Sequence, residues 1–235
     1  MIAIASRFCG PPDSGNGGYS AGLLATQLSG CVEVTLRSPP PLERALNIVT
    51  KPGVTELLDG ERLVAEARKV ALELEVPAPP SLHRASALSR HYIGYQKHHF
   101  PTCFVCGPAR ATGDGLRIFP GGDGSSEVVA APWIPDQSLL GAAGTVGSEF
   151  VWAALDCVGY FATAAPDYPV SLLGRMTAEV VAAPQPDEPC VVIGWPIARE
   201  GRKLHAGTAV FGQDQRLLGR ARQTWISVTS AKAAG

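Results

Sequence analysis

The run FVWAALDCVGYFAT, Phe150 to Thr163, contains one acid or base of any strength, Asp156. A carboxylate on so apolar a helix needs a partner, a wet pocket or a raised pKa. A wet pocket or a raised pKa would suit a base or a nucleophile. A partner, such as Arg175 or a backbone amide, would meet the same need without chemistry. The second feature is Gly15-Asn16-Gly17-Gly18 ahead of YSAGLLATQL. Free N–H groups at a helix start can stabilise a developing oxyanion, and glycine lets a ligand carbonyl come close. The same glycines could simply make a tight turn into a crowded helix. Asn16 is either the N-cap of that helix or a side chain that orients a carbonyl.

A third motif is HHFPTCFVCG, with His98, His99, Cys103 and Cys106. C-x-x-C-G resembles one knuckle of a zinc ribbon. No second C-x-x-C follows, and Cys9, Cys31, Cys157 and Cys190 stand apart. A four-ligand site completed by His98 or His99 within nine residues would be cramped. Buried thiols or a structural turn are therefore expected, with no metal and no cofactor. Lesser candidates are Glu149, seven residues before Asp156 and hence near the same helix face. A first-turn Glu also serves as a dipole partner. Arg175 and Thr177, on the strand after the helix, could orient water or meet a phosphate, or be solvated strand positions. His205 is a weaker candidate of the same kind. Trp133, Trp152, Trp195 and Trp225 read as core or pocket lining.

Two helices position these residues, one starting at Asn16 and ending near Ser29-Gly30, the other covering Phe150 to Thr163. Strand-like runs follow the first at 32–38, 44–50 and 54–58, with a hairpin signal at Asp59-Gly60. ERLVAEARKVALEL, by composition, suits a helix. The second helix is followed by strand-like runs at 172–183, 190–198, 203–211 and 216–228. LVAEAR, Leu63 to Arg68, then aligns with LLGRAR, Leu217 to Arg222, which makes the former a strand. SPPPLERALNIV and APQPDEPCVVIG likewise each place a Pro-rich bend between two strands. The chain therefore reads as a duplication, helix then antiparallel strands, twice over. The first half is 1–76 and the second 99–235. Between them a Pro-rich surface connection, 77–98, is expected to run past the first sheet, and short strands at 115–119 and 127–131 open the second half.

Composition bounds the function. The 235 residues carry 20 Lys+Arg against 21 Asp+Glu, a net charge of −1. The only dense basic group is Arg199 to Lys203, so nucleic acid is not an expected partner. No run is long and apolar enough for a membrane span, and six Cys without an export signal read as reduced thiols. A cytoplasmic protein is expected.

A long apolar helix wrapped by a curved antiparallel sheet, occurring twice, resembles the double hotdog arrangement of acyl-CoA thioesterases. The resemblance covers nearly the whole chain. In relatives of the phenylacetate-pathway type, a Gly-rich turn starts the central helix and an acid follows about eight positions later. Gly147-Ser148-Glu149 opens the second helix here, with Asp156 eight after Ser148. The first half keeps Gly17-Gly18 but has Ala25 or Thr26 where the acid would be. The second half lacks the His or Asn often found beside the glycine turn. The resemblance thus implies one site, with Asp156 facing Gly17 and Gly18, and hydrolysis of an acyl-CoA or acyl-carrier thioester. Asn16, Arg175 and Thr177 would bind substrate. The alternative on the same fold is a non-catalytic acyl-CoA or lipid-binding module. A hotdog hydratase would pair its Asp with a His five residues on, where this chain has Phe161. A metal-dependent interaction protein built on C-x-x-C is the remaining class. Units of this kind often pair again by sheet edges, so a homo-oligomer is possible.

Overall fold

The computed structural model describes residues 1–164 and 167–228. Its elements, in chain order, are β1 (Ile2–Ala3), α1 (Gly17–Ala25), β2 (Val32–Leu36), β3 (Ala45–Lys51), β4 (Val54–Asp59), β5 (Arg62–Lys69), α2 (Leu82–Ser89), β6 (Val129–Trp133), α3 (Ser148–Thr163), β7 (Ser171–Val180), β8 (Cys190–Glu200), β9 (Lys203–Phe211) and β10 (Leu217–Ser227). The strands form one ten-stranded sheet in the order β1-β3-β4-β5-β2-β7-β10-β9-β8-β6, with every pair antiparallel. Outward from the β2–β7 seam, both sides repeat one plan. The first strand after the helix meets the fourth, then come the third, the second and the strand before the helix. Only four residue pairs, Val32↔Ala178 to Thr35↔Arg175, make that seam.

Alternation fixes which face of each strand turns inward. Val32 and Val34 of β2 are buried in the core, and so are Met176 and Ala178 of β7. Helices α1 and α3 lie against that inner face and against each other. Every residue of α3 from Phe150 to Phe161 is buried, as expected of a helix apolar on all sides. The two helices run antiparallel and approach through glycine. A Cβ at Gly22 would stand 2.7 Å from Glu149 Cα and 2.8 Å from Trp152 Cβ, and one at Gly18 would overlap Asp156 Cβ. The middle of α3 is tied to the sheet by buried Gln223. Its amide donates to the Leu155 carbonyl and to Thr208 Oγ1, while its own carbonyl accepts from Trp225 Nε1 at 2.7 Å. The turn of helix that carries Asp156 is thereby fixed.

The segment Arg62–Lys69 is a strand, in agreement with its alignment to Leu217–Arg222 rather than with its helical composition; pairing on both sides overrides propensity. Two expectations need correction. The connection after Pro77 contains a helix, α2, capped by Ser81 Oγ, which accepts from Arg84 N at 3.2 Å. It packs on the outer face of the second-half strands β6 and β8, where Ala85 and Leu88 join Ile193, Trp195 and Phe211. It does not run past the first-half sheet. Residues 115–119 do not form a strand. They lie beside the C-x-x-C loop with Arg117 in the left-handed region (φ 54°), Leu116 N donating to Phe104 O and Ile118 N to Val105 O. No helix of the described residues is long and apolar enough to cross a membrane.

Candidate active site

Asn16 caps α1: its Oδ1 accepts the Tyr19 amide at 2.9 Å. The same side chain turns its Nδ2 to Asp156 Oδ2 at 2.7 Å, so the cap also orients the acid. Gly18 donates its amide to the same oxygen at 3.0 Å. The start of α1 and the middle of α3 thus meet at one carboxylate, 1% exposed. Asp156 Oδ1 is buried without a hydrogen-bond partner among the described residues. A bare buried carboxylate oxygen is a costly arrangement that asks for an explanation. Burial pushes the Asp156 pKa up to about 7, against the downward pull of the Gly18 amide and the Asn16 side chain.

Of the first three α1 amides, those of Gly18 and Tyr19 are engaged, and that of Gly17 has no acceptor among the described residues. Gly17 borders the same cavity as Asp156, a space of about 60 Å³. Its walls are largely aromatic, with Tyr160, Phe161, Tyr168 and Trp225. Tyr160 lies 5.5 Å from Trp225, and His99 stacks on Tyr168 at 4.7 Å. A wider space of about 240 Å³ adjoins it, sharing Pro11, Gly17, Leu172 and Leu173 and bordered by Arg37.

The cavity therefore brings together Asp156, Gly17 and Asn16, and Gly18 reaches Asp156 through its amide without lining the cavity. It does not include Arg175 or Thr177. Both alternate with the core residues Met176 and Ala178 and so emerge on the other face of β7. There Arg175 Nε donates to Thr35 Oγ1 at 3.0 Å, and Thr177 Oγ1 donates to Glu33 Oε2 at 3.2 Å. Both border a separate groove with His205, which contacts Thr224 Oγ1 at 3.2 Å. The apolar residues at 176 and 178 were the signal that could have placed 175 and 177 outside. Glu149 folds its carboxylate back toward Gly147 at its own helix start. Sequence reasoning missed Cys157 as a neighbour of Cys103 and Cys106. The three sulfurs lie within 4.8 Å of one another beside Asp156. The neighbouring thiols of Cys106 and Cys157 hold the pKa of Cys103 well down, while burial raises that of Cys106.

No protein-family model matches this chain, and no curated protein matches its sequence. Solved structures match its fold. A tesB protein of Mycobacterium avium subsp. paratuberculosis superposes with a TM-score of 0.60 at 12% identity, covering 93% of this chain and 89% of that one. A thioesterase-named protein of Novosphingobium aromaticivorans gives 0.61 at 11% identity, over 97% and 94%. One from Thermobifida fusca, named thioesterase II, gives 0.59 at 14% identity, over 92% and 88%. The large antiparallel sheet wrapped on few helices is the fold these proteins share with this chain.

Proposed function

We propose that the chain is a tandem of two hotdog units, 1–76 and 99–235 with 77–98 between them, and that it hydrolyses an acyl-CoA or acyl-carrier thioester to acid and thiol. The supporting observation is the buried Asp156 carboxylate, which borders a cavity, with Oδ2 held by the start of α1 and Oδ1 without a hydrogen-bond partner among the described residues. Thioester hydrolysis needs a nucleophile or a base that activates water, and the Asp156 carboxylate, with Oδ1 unpartnered among the described residues, can serve as either. Single-turnover hydrolysis in isotopically labelled water tests for attack, because label in Asp156 requires an acyl–aspartyl anhydride that water opens at the aspartyl carbonyl.

The oxyanion that develops on the thioester carbonyl needs a donor already aimed at it. Gly18, expected for this task, is committed to the acid. Gly17 carries an amide with no acceptor among the described residues and sits at the positive end of α1. The aromatic chamber suits a short or flat acyl group, and the adjoining space bordered by Arg37 suits the pantetheine arm. The similarity of fold to thioesterase-named structures agrees with this reading.

The test is thiol release from a panel of acyl-CoAs. Asp156→Asn, which keeps the shape, is expected to lower kcat/KM by about a thousandfold. Unchanged rates would remove Asp156 and the reading with it. The engagement of Gly18 favours one alternative, a module that binds acyl-CoA without turning it over. Calorimetry showing tight binding with no thiol release at any chain length would select it.

A further inference from the structure

The C-x-x-C loop and α3 meet in a cluster that the thioester reading does not use. Cys103 and Cys106 come from the loop, Cys157 from the helix, and their relative exposures are 4%, 4% and 6%. Cys103 Sγ and Cys157 Sγ are 3.8 Å apart, and all three sulfurs lie within 4.8 Å of one another. A tetrahedral ion with metal–sulfur bonds of about 2.3 Å has sulfur–sulfur edges of about 3.8 Å. The observed spacing thus needs contraction by at most about 1 Å to hold such an ion.

The loop is held from several sides. Cys103 O accepts the Gly107 amide at 2.9 Å, and a Cβ at Gly107 would stand 2.5 Å from that oxygen, so the knuckle requires glycine. Phe104 N donates to Cys9 O at 2.8 Å, and Tyr92 Oη donates to Cys106 O at 2.8 Å. The Asn16 amide that orients Asp156 also lies 3.9 Å from both Cys103 Sγ and Cys157 Sγ, where an N–H can stabilise charge on sulfur. Three thiols packed together without solvent are chemically idle, whereas three thiolates neutralised by a divalent ion are a common use of such a set.

We infer that Cys103, Cys106 and Cys157 form a binding site for a thiophilic divalent ion of the zinc type. They supply three ligands and leave a fourth position toward the cavity beside Asp156. His98 is outside the ligand set, because its ring nitrogens do not share the sulfurs' common radius. Binding exchanges the thiol protons for the ion: each sulfur still protonated gives its proton to solvent as its bond to the metal forms, with no change of oxidation state. The inference is independent of the thioester reading, and its test does not use activity.

The test is titration of the reduced, metal-free full chain with Co²⁺, followed by competition with Zn²⁺. One ion per chain is expected, with a thiolate-to-cobalt charge-transfer band and the intense visible bands of a tetrahedral site. Cys103→Ser and Cys157→Ser should each weaken uptake at least tenfold, and Cys190→Ser, remote on β8, should leave it unchanged. X-ray absorption on the unmutated zinc-loaded protein covers the case of a variant that fails to fold; three sulfurs at about 2.3 Å are expected. Absence of a stoichiometric ion, a shell without sulfur, or cobalt bands that survive Cys103→Ser and Cys157→Ser would each overturn the site.

Discussion

Where α1 begins, Gly18 gives its amide to Asp156 and a cavity opens beside the pair. Where α3 begins, the corresponding residues are Ser148 and Glu149, and Glu149 packs across the antiparallel helices against Gly22. Asp156 stands eight residues into α3 from Ser148. The α1 residue at the same offset from Gly17 is Ala25, a buried methyl group. One further on, Cys157 is buried in the thiol cluster and its counterpart Thr26 is exposed. The strand order around the two helix starts is the same, so the backbone plan does not distinguish them. What distinguishes them is a handful of side chains at fixed offsets. The plan supplies a helix start facing a helix middle, and chemistry exists only where a carboxylate occupies that middle.

Substitutions at matched positions can break this contrast. The largest effect is expected at Asp156, as given above. Next come the glycines of the helix contact. Gly18→Ala and Gly22→Ala both force a methyl group into the facing helix, and each should cost roughly 1–3 kcal/mol in denaturant unfolding. Only Gly18→Ala should also depress thiol release per folded molecule, because its clash falls on Asp156 itself. Equal activity in the two variants would show that the two ends are not functionally distinct. Asn16→Ala removes a cap worth about 1 kcal/mol and one of the two donors to Asp156. Thermal unfolding should register the first loss, and a drop of about tenfold in kcat the second. Glu149→Gln marks the other end. It removes a first-turn charge near the α3 start and should change stability by no more than about 0.5 kcal/mol, with thiol release unaltered within twofold. A large loss of turnover there would make Glu149 a second acid and undo the contrast.

Much of this was legible before any coordinates. Asp156 stood out because no other strong acid or base shares its apolar run. Gly17-Gly18 stood out because consecutive glycines ahead of a helix have a backbone purpose. The strand at Arg62–Lys69 became legible only beside its counterpart at Leu217–Ser227, since Ala, Glu and Arg alone favour a helix. Helix α2 stayed hidden because it follows a proline cluster and offers few apolar residues, chiefly Ala85 and Leu88, to the sheet. The thiol cluster stayed hidden for a different reason. Spacing exposes ligands that are neighbours in sequence, and Cys157 reaches Cys103 from 54 residues away by the docking of a loop on a helix. Arg175 was misplaced by ignoring parity along a strand, although the alternation was there to be read.

The ends of the sheet carry their own consequence. One border is β1, two residues long, and the other is β6, interrupted at Pro132, which has no amide hydrogen to offer. β1 covers only Ala45 and Leu46 of β3 and leaves Asn47 to Lys51 uncovered among the described residues, whereas at the other margin Ala130 of β6 is already bridged to Gly121. The two margins therefore differ: the β6 edge is blunted by its proline, and the β3 edge beyond β1 keeps a stretch of backbone open to a further strand.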